Sequence, residues 1–449
     1  MEQYNSYKDS GVEWIGEVPS HWNICKLKHL SHIFGRIGFR GYNQTDLVGE
    51  GEGAITLSPS NMQNGKMNYD KCSYLSWYKY NESPEIKIYD GDILFVKTGS
   101  TFGKVSYVAN LPMEATINPQ IVVFKNIKGS NKYLYYLLSN EIVQRQVSLS
   151  VGGSTIPTLS QENILNYVVP VAPKEEQDAI ASYLDKKCSE IDNVISAQQK
   201  RIALLQELKQ SVITHAVTKG LNPNVEMKDS GVEWIGKVPK HWEIYKIKNC
   251  CKSEQYSIKT GPFGTQLKGE DLQPQGDVAV YSQQNVINND FTKIRYFVSF
   301  KKAETLKGFY TKPDDVLVTS RGTIGKAAIL SPSFPIGILH PCLIALRLNQ
   351  KICQNDWLVM YVNETDCFKT DVYLSSNATT IDVIYTGTLK NIYIPIPPYE
   401  EQIEILKSIK EKCASIDSSI SKAQYQVELL QEYKQSLITE VVTGKRKVS

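Results

Sequence analysis

The segment Lys8–Gly16 reads KDSGVEWIG, and the same nine residues return at Lys228–Gly236, 220 positions later. Val18-Pro19 and His21-Trp22 recur as Val238-Pro239 and His241-Trp242, so 16 of 22 positions agree between Tyr7–Lys28 and Met227–Lys248. A second repeat, at an offset of 225, closes each half. There Glu175–Gly220 and Glu400–Lys445 align without gaps and share 22 of 46 residues. Self-similarity on this scale dictates two copies of one fold. The stretches between the repeats differ far more, so the chain is a repeated frame around two divergent inserts. One scaffold presenting two different surfaces is what that pattern implies.

The closing repeats predict long helices. Each follows a proline-rich strand exit, Pro170-Val171-Ala172-Pro173 and Pro395-Ile396-Pro397-Pro398, and opens on paired glutamates that favour a helix N-terminus. Neither Glu175–Thr218 nor Glu400–Thr443 contains proline or glycine. Steps of four and three give a seam of Leu184, Cys188, Ile191, Ile195, Gln198, Ile202, Leu205, Lys209, Val212 and Ala216. The second seam is Ile409, Cys413, Ile416, Ile420, Ala423, Val427, Leu430, Lys434, Leu437 and Val441. These are heptad stripes on helices of about 65 Å, and neither stripe can be buried by its own helix. Two readings follow: each stripe packs on its own insert, or the two pack together as a coiled coil within one chain. The near-identity of the stripes favours the second. Lys209 and Lys434 interrupt both seams at the same place, which suits a register or partner contact better than added stability.

The inserts read as mixed α/β. Strand-like runs at Asp92–Val96, Val105–Val108 and Ile121–Phe124 are mirrored by Asp315–Thr319, Ala327–Leu330 and Cys342–Leu348. The loop Ser58–Asn64 falls against Ser282–Asn288, with its residues exchanged. Shared strands with exchanged loop residues suit specificity built on a common scaffold.

Composition removes other classes. Fifty basic residues against 47 acidic in 449 leave a net charge of +3, which excludes a polycationic nucleic-acid coat but not a local basic groove. Nine scattered cysteines form no C-x-x-C pair, so neither a disulfide framework nor a zinc ribbon is supported. Cys25, His29 and His32 lie within eight residues and read as side chains at the edge of one packed element. Charges at Glu2, Lys8, Asp9, Glu13 and Glu17 argue against a signal peptide. No stretch reaches the roughly 18 apolar residues of a membrane span. A cytoplasmic location is expected.

Catalytic motifs fail one by one. Gly99-Ser100-Thr101-Phe102-Gly103-Lys104-Val105 is too short for a phosphate loop, and Val105 stands where a magnesium-binding hydroxyl is needed. Pro397-Pro398-Tyr399 is preceded by Ile396, which cannot accept a hydrogen bond from a target amine, and no glycine-rich methyl-donor site occurs elsewhere. Pro313-Asp314-Asp315 lacks the nearby acidic-x-Lys strand of a nuclease. There is no G-x-S-x-G elbow. The chain reads as a binder.

Polar side chains on glycine-punctuated loops are the candidates for binding. The first insert offers Arg36, Arg40, Asn43, Gln44, Ser58, Asn61, Gln63, Asn64, Lys97, Ser100, Thr101 and Lys104. The second offers Lys259, Gln266, Lys268, Ser282, Gln283, Gln284, Asn285, Arg321, Thr323 and Lys326. Arginine reads guanine and Asn or Gln reads adenine in bidentate fashion, while Lys, Ser and Thr hold phosphates.

The insert–helix–insert–helix frame carries a resemblance, together with Asp92-Ile93-Leu94 leading to Gly99-Ser100 and Asp315-Val316-Leu317 leading to Gly322-Thr323. Pro397-Pro398-Tyr399-Glu400-Glu401-Gln402 and its counterpart Pro173-Lys174-Glu175-Glu176-Gln177 complete it. Over essentially its whole length the chain resembles the specificity subunit of Type I restriction–modification systems. The resemblance implies two target-recognition domains, 1–172 and 221–397, separated by two conserved helices, 173–220 and 398–449, in an antiparallel coiled coil with a pseudo-twofold internal repeat. It implies a non-catalytic subunit that reads a bipartite, asymmetric site in double-stranded DNA, binding no cofactor itself. Its partners would be two methyltransferase subunits using S-adenosylmethionine on adenine, and restriction subunits using ATP and Mg2+. The helices would then act as a ruler between half-sites. Two other readings compete: a protein-interaction scaffold with two binding domains, and a single-chain restriction enzyme, which needs the motifs absent above.

Overall fold

The computed structural model describes residues 3–151, 158–375 and 383–448. The chain folds as two compact units, one made of Met1–Gln199 with Gln424–Ser449 and the other of Lys200–Ala423. The expected boundaries separate inserts from helices, whereas the compact units divide each long helix near its middle.

In the first unit the expected strand runs form the centre of a six-stranded sheet. Ile93–Val96 lies between Ile121–Lys125 and Val105–Tyr107, with His32–Gly35 beyond. Ile93–Val96 is buried at every position, which accounts for an unbroken apolar run rather than an alternating one. A four-stranded sheet holding Gly53–Leu57 and Ala115–Ile117 packs against it through Ile55, Leu57, Leu94, Val96 and Ile117. The second unit repeats the centre, with Val316–Thr319 between Leu343–Leu346 and Ala327–Ile329.

Two buried ion pairs mark the equivalence. Asp92 pairs with Lys125 across the first sheet and accepts the Tyr89 amide at 2.8 Å. Asp315 pairs with Arg347 at 2.9 Å and accepts the Lys312 amide at 2.8 Å. Burial pushes both carboxyls upward in pKa, against the pull of their cations and amide donors.

The closing repeats are helices Lys174–Lys219 and Tyr399–Val442. All twenty seam positions are buried or half-buried. In the first unit Tyr183 meets Arg446 and Asp192 meets Lys434, so the helices run antiparallel there. In the second, Lys209 meets Asp417, and a side chain at Gly220 would touch Glu401, which again makes the pair antiparallel. Lys434 Nζ donates to Asp192 at 2.6 Å, and Lys209 Nζ donates to both Asp417 oxygens at 2.8 Å. The seam lysines therefore set register.

The frame repeats are docking devices. His21 and Trp22 hold Glu176 at 2.6 and 3.0 Å, and His241 holds Glu401 at 2.7 Å. Glycine closes both helices in left-handed conformation, at φ +74° for Gly220 and +72° for Gly444. Gly220 abuts Trp242 and Pro239, and Gly444 abuts Trp22 and Pro19. Among the described residues no helix is long and apolar enough to cross a membrane.

Candidate nucleic-acid interface

Each unit carries a hairpin loop between two adjacent strands of its sheet, Ile93–Val96 and Val105–Tyr107 in the first and Val316–Thr319 and Ala327–Ile329 in the second. Val96 and Lys104 close the first through amide-to-carbonyl bonds of 2.9 and, from Gly103 to Val96, 2.8 Å. Thr319 and Lys326 close the second at 2.8 Å, with Gly325 donating to Thr319 at 3.0 Å. One loop is thus a residue longer than the other, which explains why Gly99 and Gly103 are spaced differently from Gly322 and Gly325. All four glycines have positive φ. The turn chemistry is conserved while its length changes.

Five of the expected readers prove to be structural. Asn61 is buried; its Oδ1 accepts the Ser58 amide and hydroxyl at 3.0 Å, and its Nδ2 donates to Asn68 and Lys71 carbonyls at 3.2 and 3.0 Å. Asn285 does the same for Ser282 at 3.0 and 2.9 Å and for Asp290 and Lys293 at 2.9 Å. No capacity remains on either amide for a base, and buried Ser282 is engaged with it. Arg36 is buried against Tyr42, donating to the Ile117 carbonyl (3.2 Å) and Thr116 Oγ1 (3.1 Å). Lys259 is buried on the carbonyls of Gly308 and Tyr310, and desolvation lowers its pKa to about 8. These residues belong to the scaffold because each is buried and spends its polar atoms on hydrogen bonds within its own unit.

The other candidates remain at the surface. Ser58 is half-buried on Asn61 and Ser60. Arg40 pairs with Glu85 at 3.4 Å. Exposed Asn43 caps its own turn through Thr45, with Gln44 exposed beside it. Gln63, Asn64 and Lys104 come together, with Lys66, around an open cleft of about 710 Å³. Ser100 and Thr101 are exposed at the loop tip, and Lys97 below them is half-buried, its pKa lowered by desolvation. In the second unit Gln266 is exposed and accepts the Phe263 amide at 3.3 Å, while Lys268 meets Glu270. Gln284 is exposed on Asn288, and Lys326 opens onto a cleft of about 500 Å³.

One cluster in the second unit is tighter. Gln283 Nε2 donates to the Thr323 carbonyl at 3.0 Å, tying the short helix Gln283–Ile287 to the hairpin loop. Beside that tie the Arg321 guanidinium lies over the Phe263 ring, 5.0 Å from its centroid. Phe263 was not expected from sequence. An aromatic residue bracketed by Gly261-Pro262 and Gly264 is the signal that marks it, since such a ring cannot be buried by its own turn.

The exposed, divergent loops over a matched skeleton agree with comparisons to known proteins. The family model for the Type I restriction modification DNA specificity domain matches twice, over residues 41–204 and 239–425. A putative type I restriction enzyme MjaX specificity subunit of Methanocaldococcus jannaschii is 24% identical over 97% of this chain and 96% of its own. The MjaVIII specificity subunit of the same organism is 27% identical over 81% of each. A chain solved in work on complex assembly and conformational transition of the type I R-M system superposes with a TM-score of 0.71 at 15% identity, covering 96% of this chain and 99% of its own. The HsdS subunit from Thermoanaerobacter tengcongensis gives 0.51 at 15% identity, over 96% and 98%. Two family domains on one repeated frame leave a single assignment: the chain belongs to the specificity subunits of type I restriction–modification systems.

Proposed function

We propose that each domain reads its own short sequence in double-stranded DNA, so that the whole subunit selects a bipartite, asymmetric site and does no chemistry itself. The observation that carries this is the split between matched and unmatched residues. Asn61 with Asn285, and Asp92–Lys125 with Asp315–Arg347, build the same skeleton twice. The loop residues above that skeleton differ: exposed Gln63, Asn64, Ser100 and Thr101 on one side, half-buried Gln283 and Arg321 with exposed Gln284 and Thr323 on the other. Two scaffolds that share these buried polar contacts but present different donors are suited to bind different sequences of one polymer.

Two methyltransferase subunits, using S-adenosylmethionine to methylate adenine, would seat on the long helices. Leu204 and Leu208 on one helix and Leu429 and Tyr433 on the other are exposed outside the seams, at matching repeat positions. Restriction subunits using ATP and Mg2+ would supply translocation and cleavage. The test is production of this chain with the products of its neighbouring genes, followed by mapping of modified adenines in the host DNA. A modified bipartite motif that vanishes on deletion of this gene is expected. Its absence, together with DNA binding that does not weaken as salt rises, would overturn the reading in favour of a scaffold.

A further inference from the structure

Resting on that reading, we infer that Arg321, held over the Phe263 ring, is the residue with which the second domain reads a guanine. The internal repeat supplies the argument. Arg321 bridges to Val383 as Thr98 bridges to Thr158, and the residues before them are fixed alike. Ser320 donates to Cys342 and accepts from Ile384, both at 2.8 Å; Lys97 donates to Gln120 and accepts from Leu159, both at 2.8 Å. The two backbones are therefore equivalent, yet one carries a threonine and the other an arginine. What differs at a matched, rigid position is free to encode a difference in what is bound.

The state of the guanidinium separates it from the structural basic residues. Arg36 spends its donors on Ile117, Thr116 and Arg40. Arg321 Nε is buried from water with no hydrogen-bond partner among the described residues. The guanidinium is thus not spent on scaffold carbonyls as that of Arg36 is. The ring of Phe263, itself 43% exposed, gives the guanidinium an aromatic face to rest over, 5.0 Å from its centroid. The Gln283–Thr323 bond and the positive-φ glycines Gly322 and Gly325 fix the loop beneath it. A planar fork ordered in advance suits the paired O6 and N7 acceptors of guanine, whereas a phosphate is served equally by a flexible lysine such as exposed Lys326. Phe263 is then a positioning residue, acting through Arg321.

The experiment is selection from a randomised duplex library by the complex of this chain with its methyltransferase subunits. Wild type, Arg321→Thr, Arg321→Lys and Phe263→Leu are compared. Threonine is what the equivalent backbone already carries at residue 98, so Arg321→Thr is expected to melt as wild type does. We expect wild type to demand a G·C pair at one position of one half-site. Arg321→Thr and Arg321→Lys should lose roughly 5- to 100-fold of that preference and leave every other position unchanged. Phe263→Leu should lose part of it at the same position. Uniform weakening at all positions in Arg321→Thr would identify a phosphate contact and overturn the inference. So would an unchanged motif, or a wild-type site in which neither half-site needs guanine. Should Arg321→Thr melt early, the lysine and leucine variants decide. A wild-type complex that selects no bipartite motif overturns the DNA-specificity reading itself, whereas the preceding failures leave it standing.

Discussion

Asn61 and Asn285 spend their whole amides on nearby backbone, and that is why the two inserts hold the same turn on different sequences. Removing either amide strands buried donors and acceptors, so Asn285→Ala should destabilise the second unit by about 1–3 kcal/mol. Melting of the variant would show that loss, and its sequence preference should be unaltered. Lys259 gives a pH signature. Its ammonium falls from 10.5 to about 8 in the folded state, so between those values the unfolded chain binds more protons and stability rises with pH. Below about pH 8 both states are protonated and the burial cost is fully present. Between urea melts at pH 8 and pH 10, the stability of wild type relative to Lys259→Met should therefore rise. None of these roles was legible in the residues themselves. Turn-rich surroundings ordinarily leave Arg and Lys solvated, and the acceptors of Arg36 and Lys259, on Ile117 and Tyr310, lie far along the chain. Arg321 was legible as a candidate; its ring platform was not, because contact between residues 263 and 321 is a product of the fold.

The long helices were legible almost to the residue, since heptad seams without proline or glycine admit little else. Their lysines were legible as a matched pair but not as register setters, because the aspartates they meet stand outside the seam. The start of each helix has a device that sequence showed only as a motif. Gln177 donates to the Ala172 carbonyl at 2.8 Å and accepts the Ser130 amide at 3.0 Å. Gln402 donates to Ile352 and Pro397 at 2.8 and 3.0 Å and accepts the Gln354 amide at 3.0 Å. This explains the glutamine after the paired glutamates: it stitches strand exit, helix and insert together. Gln402→Ala should cost about 1–3 kcal/mol, confined to the second unit's transition in calorimetry. A loss shared by both units would contradict this local role.

For the whole molecule, the repeat announced two related halves and their mixed α/β class, because identical frames require identical docking sites. Helix continuity carries a prediction of its own. Deleting one heptad from both helices removes about 10 Å of rise, near three base pairs of duplex at about 3.4 Å each. The preferred spacer in a binding selection should shorten accordingly, and an unchanged spacer would remove the helices from any measuring role.

The first unit joins Met1–Gln199 to Gln424–Ser449 across the second, and this governs when it can be completed. Its apolar core takes in Leu437, Ile438, Val441 and Val442 beside Trp22, Leu184 and Cys188. A ribosome making about 5–20 residues per second needs about 10–45 s to add residues 200–423, which form the second unit without interruption. The part translated first is thus finished last, its apolar strip waiting on a segment not yet made, while the nested unit closes in sequence. A stop codon before residue 437 would accordingly strike the amino-terminal domain and spare the unit that closes at residue 423.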